Sequence, residues 1–85
     1  MKNKLFVGSL SWDTTDDTLK AFFEQLGTVL EAKVIVDKFN NRSKGFGFVT
    51  METEELATQA IEQLNGQTLD GREIMVDYAK PPKHD

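Results

Sequence analysis

The chain has no cysteine among its 85 residues. Disulfides, a thiolate nucleophile and cysteine-based zinc sites are therefore excluded, and the composition fits a reducing compartment. Its one histidine, His84, lies in the terminal tail, so a histidine-centred site would be isolated. No apolar run approaches the roughly 18 residues of a membrane span, so no membrane partner is expected. The N-terminus lacks the apolar stretch of a secretory signal. A cytoplasmic location is the expectation, with nuclear or organellar sites left open. Positive charge is also scarce: the net charge is −4 and the pI about 4.9. That balance argues against bulk attraction to nucleic acid, for which a basic domain is the usual footprint. Carboxylates show no pairing beyond helix starts. No catalytic, cofactor or metal-ligating set stands out, and the chain is not expected to be an enzyme.

What remains suits one soluble globular domain with 39% hydrophobic and 28% charged residues. Residues 1–80 are expected to form it, with 81–85 a short polar tail after Pro81-Pro82. The charge is unevenly placed. Asp13, Asp16, Asp17 and Glu24 surround a first helical segment, and Glu52, Glu54, Glu55 and Glu62 a second. Lys38, Arg42 and Lys44 cluster elsewhere. Acidic helices and a more basic strand side can coexist on opposite faces.

Leu5-Phe6-Val7 predicts a first strand, over residues 3–8. Thr15 is a candidate N-cap, followed by Asp16 and Asp17 at a helix start. Leu19, Phe22, Phe23 and Leu26 recur at helical spacing and predict a core-facing stripe, with Gly27 as the stop. Ala32 to Val36 reads as a second strand and 37–43 as a polar loop. After the strand at 44–51, Thr53 caps a second helix with Ala57, Ala60, Ile61 and Leu64 on its apolar face, closed by Asn65-Gly66. A small turn region at Thr68 to Gly71 leads to a last strand, Glu73 to Ala79.

The strand Lys44-Gly45-Phe46-Gly47-Phe48-Val49-Thr50-Met51 carries the most information. Side chains alternate across a strand. Lys44, Phe46, Phe48 and Thr50 point one way, and Gly45, Gly47, Val49 and Met51 the other. If the two rings faced a core, Lys44 would be drawn toward it, and unpaired buried charge is costly. Leu5, Val7 and Val49 already supply an inward set. Two exposed rings beside a cation suit flat, anionic partners, since bases stack on rings and phosphates meet lysine.

The element order is β-α-β-β-α-β, which predicts an α+β, ferredoxin-like sandwich. Right-handed crossovers put both helices on one face of a four-stranded antiparallel sheet. Nothing is left in the chain to cover the other face, so aromatics there are exposed or meet a partner.

With these features the chain resembles the RNA recognition motif. That family's longer signature runs Lys/Arg-Gly-aromatic-Gly/Ala-Phe-Val-x-aromatic. Lys44 to Thr50 follows it, and Met51 replaces the last aromatic on the side turned toward the helices. Leu5 to Leu10 resembles the shorter signature, with Ser9 where the family usually has Asn. The resemblance covers about residues 3–80. It implies stacking of bases or sugars on Phe6 and on Phe46 or Phe48, and pairing of Lys44 with a phosphate. It also implies that Lys33 and Ile35 share the open face, with Val34 and Val36 turned inward. In the last strand Met75 and Asp77 face out, with Ile74 and Val76 inward. The segment Tyr78-Ala79-Lys80 often lies over the sheet in similar domains and contacts bases through its backbone.

Arg42, beside Lys38 and Lys44, is a further candidate for phosphate contact. Trp12 is either a rim residue packed on the sheet edge or an extra stacking platform. Phe39 either folds back on its loop or reaches over the sheet. Asp77 is unfavourable near phosphate but can accept hydrogen bonds from base amino groups. The expected activity is binding of single-stranded RNA by a monomer, with single-stranded DNA a close variant. The alternatives are a protein-interaction module that uses the helical face and an acylphosphatase-like enzyme. The enzyme would need an Arg in the first loop, and Gly8-Ser9-Leu10-Ser11-Trp12 has none.

Overall fold

A computed structural model of the chain describes residues 3–36, 39 and 43–79, without the side chains of Ser43 and Lys44. Its elements run β1 (Lys4–Gly8), α1 (Asp16–Glu24), β2 (Val29–Val36), β3 (Ser43–Met51), α2 (Glu54–Leu64), β4 (Thr68–Leu69), β5 (Arg72–Glu73) and β6 (Met75–Tyr78). Four strands pair antiparallel in the order β2-β3-β1-β6, and β4 pairs with β5 in a separate hairpin. The central pair, β1 and β3, carries the two segments read as signatures.

Both helices begin where their caps predict. The Thr15 hydroxyl accepts from the Thr18 amide at 3.2 Å, and the Thr18 hydroxyl accepts from the Thr15 amide at 2.8 Å. This reciprocal pair satisfies two donors that a helix start leaves open. Thr53 caps α2 in the same way, accepting from the Leu56 amide at 3.1 Å. The helices are also tied to the sheet. The Asp16 carboxylate accepts from the Val34 amide at 2.7 Å, and the Asn65 side chain accepts from the Val76 amide at 3.0 Å.

The core lies between the helices and one sheet face. Leu5, Val7, Val34, Val49, Met51, Ile74 and Val76 come from the strand segments, and Leu19, Phe23, Ala57, Ala60 and Leu64 from the helices. Each large side chain among them stabilises the fold by about 1.5–3 kcal/mol. Met51 is fully buried, as its place in the alternation requires. Phe22 is only half-buried, packing on the core's margin with its ring 5.9 Å from that of Phe23.

The strands differ from the sequence reading in three places. β2 begins at Val29 rather than Ala32, because a register shift between Val29 and Glu31 leaves both Leu30 and Glu31 exposed and hides the alternation. A second shift between Val34 and Val36 leaves Val36 46% exposed, which corrects its inward placement. Such bulges bend a strand and redirect its side chains. The last strand is divided at Ile74, whose amide donates to the Gln67 carbonyl and whose carbonyl accepts from the Gly66 amide. The β4–β5 turn uses Asp70 at φ +52° and Gly71 at φ +82°, the left-handed pair that suits a tight hairpin.

Two backbone sites set limits on substitution. A Cβ on Gly47 would lie 2.5 Å from the Lys33 carbonyl oxygen, where neither backbone can give way. Gly47→Ala is expected to lower stability by about 1–3 kcal/mol in urea unfolding. Ser9 sits at φ +58°, a region costly for most residues and better tolerated by Asn. Ser9→Asn is expected to raise stability by about 0.5–1 kcal/mol. An unchanged unfolding midpoint would show that the loop carries no strain.

Candidate nucleic-acid interface

With both helices on one side, the opposite face of the sheet is open. The pairing lays side chains across it in rows. Lys33 faces Phe48, Phe48 faces Phe6, and Phe6 faces Asp77. At a strand spacing of about 4.8 Å this row spans about 14 Å. One step along, Gly8 lies between Phe46 and Met75, and Ile35 follows Lys33 on the same side of β2. One step the other way come Lys4, Thr50 and Glu31.

The three phenylalanines form one cluster. Phe6 and Phe46 stack with centroids 5.6 Å apart and planes at 27°. Phe48 meets Phe6 edge-on at 5.9 Å and Phe46 at 6.1 Å. All three rings are half-buried, and none belongs to the core cluster. The Lys4 ammonium lies 5.1 Å from the Phe48 ring centre, within the range of a cation–π attraction. A depression of about 270 Å³ is lined by Phe6, Phe48, Asp77 and Tyr78. The Asp77 carboxylate accepts through Oδ1 from the Tyr78 amide at 2.7 Å.

Seven of the residues singled out in the sequence thus share one face: Phe6, Phe46, Phe48, Lys33, Ile35, Met75 and Asp77. Met75 is 61% exposed there. Ile35 is half-buried but is not among the residues packed against the core. Lys44 has its backbone at the start of β3, while its side chain, like Lys38, Arg42 and Lys80, lies outside the described residues. Trp12 is 65% exposed in the turn after β1. Phe39 is 99% exposed, and the loop residues on either side of it lie outside the described ones.

Tyr78, whose segment was expected to reach bases through its backbone, turns its side chain toward the helices. It pairs with Leu5, packs against the core and shares a 2.7 Å hydrogen bond between its hydroxyl and that of Thr58 in α2. Its side chain therefore belongs to the helical side. Ala79 continues toward β1, its amide donating to the Lys4 carbonyl at 2.9 Å. The sequence did contain this signal, since Ile74, Val76 and Tyr78 share one alternation. Lys4 joins the face without having been singled out in the sequence, two residues before Phe6 on the same side of β1. Glu31 was hidden by the bulge beside it.

The geometry of this face and the order of its strands are those of one family. The RNA recognition motif model matches residues 5–75, and the chain belongs to that family. Its relatives include small RNA-binding protein 11, chloroplastic, of Arabidopsis thaliana, 49% identical over 92% of this chain and 53% of the relative. Glycine-rich RNA-binding protein 4, mitochondrial, from the same plant is 49% identical over 93% of this chain and 58% of its own length. The chain therefore spans little more than half of these relatives. Among solved structures, a Sex-lethal protein–RNA complex superposes with a TM-score of 0.90 at 31% identity, over 98% of this chain and 50% of the other. Family and relatives together support RNA binding.

The assignment of Tyr78 to the helical side has a direct consequence. Tyr78→Phe removes one hydrogen bond to Thr58 and is expected to cost about 1 kcal/mol in thermal or urea unfolding. RNA affinity, measured on the folded variant, should stay within about twofold. A large loss of affinity would instead place the ring on the open face.

Proposed function

We propose that the chain binds single-stranded RNA by stacking two to four nucleotides across the open sheet face. The observation that carries this reading is the grouping of Phe6, Phe46 and Phe48, with centroids 5.6–6.1 Å apart, on the face that the helices leave free. Sequence-reading RNA modules splay unpaired bases onto such rings. Lys33 and Lys4 lie beside them and suit phosphate oxygens, and Lys44, Arg42 and Lys80 are proposed to extend that set. Trp12 and Met75 widen the apolar surface at its ends.

Stacking contributes about 1–3 kcal/mol per base. Two or three stacked bases give micromolar-range binding once ordering costs are subtracted. Two to four nucleotides bring only about two or three phosphates to these cations, so the plot of log affinity against log salt should have a slope of about −1.4 to −2. Base stacking does not distinguish the sugars, so matched DNA oligomers are expected to compete. The chain is proposed to act as a monomer without a cofactor. The chloroplastic and mitochondrial relatives favour an organellar location, and their names lend nothing to the cytoplasmic one.

A fluorescence anisotropy titration with a randomised pool of short RNAs tests the reading. Phe6→Ala, Phe46→Ala and Phe48→Ala should each weaken binding about tenfold or more, while circular dichroism shows a folded domain. Undiminished binding by a folded Phe46→Ala/Phe48→Ala variant would sink it. A slope much steeper than about −3 would mean that phosphate contacts dominate over stacking.

A further inference from the structure

Two carboxylates on the open face, Asp77 and Glu31, carry charge that repels a polyanion, and Asp77 is the one paired with a ring. It stands directly opposite Phe6 at the β6 end of the central row. Opposed side chains on an antiparallel pair have Cβ atoms about 4.5–5.5 Å apart, so the carboxylate borders whatever lies on the Phe6 ring. The hydrogen bond from the Tyr78 amide to Oδ1 holds the carboxylate in one orientation. Oδ2 has no hydrogen bond or ion pair among the described residues. Asp77 lines one depression together with Phe6 and Phe48.

We propose that Asp77 makes the Phe6 position of the platform selective for guanine. The inference rests on the RNA-binding reading above and adds base choice to it. An ionised carboxylate only accepts hydrogen bonds. Guanine alone among the four RNA bases carries two adjacent N–H donors on one edge, N1–H and the 2-amino group. Both can meet one carboxylate side by side, as charge-assisted bonds. Uracil offers a single N–H flanked by two carbonyl oxygens, which would face the carboxylate with like polarity. Cytosine and adenine each place an acceptor next to their amino group on the pairing edge. Asp77 is exposed, so water competes and the preference is modest, about tenfold for one good bidentate contact. Lys33 stands at the other end of the same row. The cation at one end and the carboxylate at the other point the backbone toward β2 and the base edge toward β6.

The test is an anisotropy titration of the full chain with RNAs of about five nucleotides. Each is uridine throughout except for one central guanosine, inosine, adenosine, cytidine or uridine. A short oligomer can slide until its one distinct base meets the selective position. The guanosine oligomer is expected to bind about tenfold tighter than the all-uridine one, with inosine, which lacks the 2-amino group, in between. Asp77→Ala and Asp77→Asn should reduce the guanosine advantage to about threefold or less, while all-uridine RNA binds as well as before or better. The opposite signs matter, because general damage to the face would weaken both oligomers. Equal binding of all five by the unaltered chain, or a guanosine preference that survives in Asp77→Ala, would overturn the proposal. If Phe6→Ala still abolished binding in that case, the platform would stand and only the base choice would fall. If the unaltered chain bound none of the oligomers, both readings would fall together.

Discussion

The register in which β1 pairs with β3 governs the rest of this molecule. Phe6 faces Phe48, and Leu5 faces Val49 one step away on the other side. A slip of one residue would send Leu5, Val7, Val49 and Met51 into solvent and the phenylalanines against the helices. The core would lose its central layer, and the open face would lose every ring. Gly47 guards this arrangement locally, because the Lys33 carbonyl lies where a Cβ would stand. The strands therefore sort apolar side chains into two sets by one geometric choice. The aliphatic set holds the fold together, and the aromatic set is offered outward.

The electrostatics follow from the same division. Helix α1 carries Asp16, Asp17 and Glu24 against Lys20, and α2 carries Glu54, Glu55 and Glu62 with no cation. These account for much of the negative charge, and they lie on the side away from the rings. On the open face Lys4 and Lys33 are set against Glu31 and Asp77. The described part of that face is thus close to neutral, and its main asset is aromatic surface. The sum of charges on a chain is a poor guide to what one face of it binds. For this chain the acidic pI reports mostly on the helices.

The fold was legible because its signals were redundant. Caps at Thr15 and Thr53, helical stripes and strand alternation all agreed, and the order of elements then required an uncovered sheet face. The site was legible for the same reason, since Phe46 and Phe48 could not be buried without Lys44. What escaped was whatever broke a simple period. Leu30 and Glu31 are both exposed at a bulge, so no alternation marks the start of β2. Val36 follows a second shift and turns outward. Ile74 makes its backbone bonds to the segment after α2, which divides what looked like one strand. Tyr78 follows Ile74 and Val76 in simple alternation, and its side chain turns toward the helices accordingly.

Exposing three phenylalanines on an 85-residue domain carries a cost, since a small core leaves little stability in reserve. The arrangement of the rings reduces that cost. Each is half-buried, and the rings meet at the separations and tilts that aromatic pairs favour. Contact among the rings also restricts their rotamers before any ligand arrives. A base that lands on them then meets a surface already ordered, and less side-chain entropy is lost on binding. The same contacts that make the platform tolerable in water make it a better platform. This also explains why the cluster matters more than any single ring: removing Phe46 deprives Phe6 of its stacked partner and frees Phe6 to move. Effects of substitutions within the cluster should therefore couple rather than add, as they do for residues in direct contact.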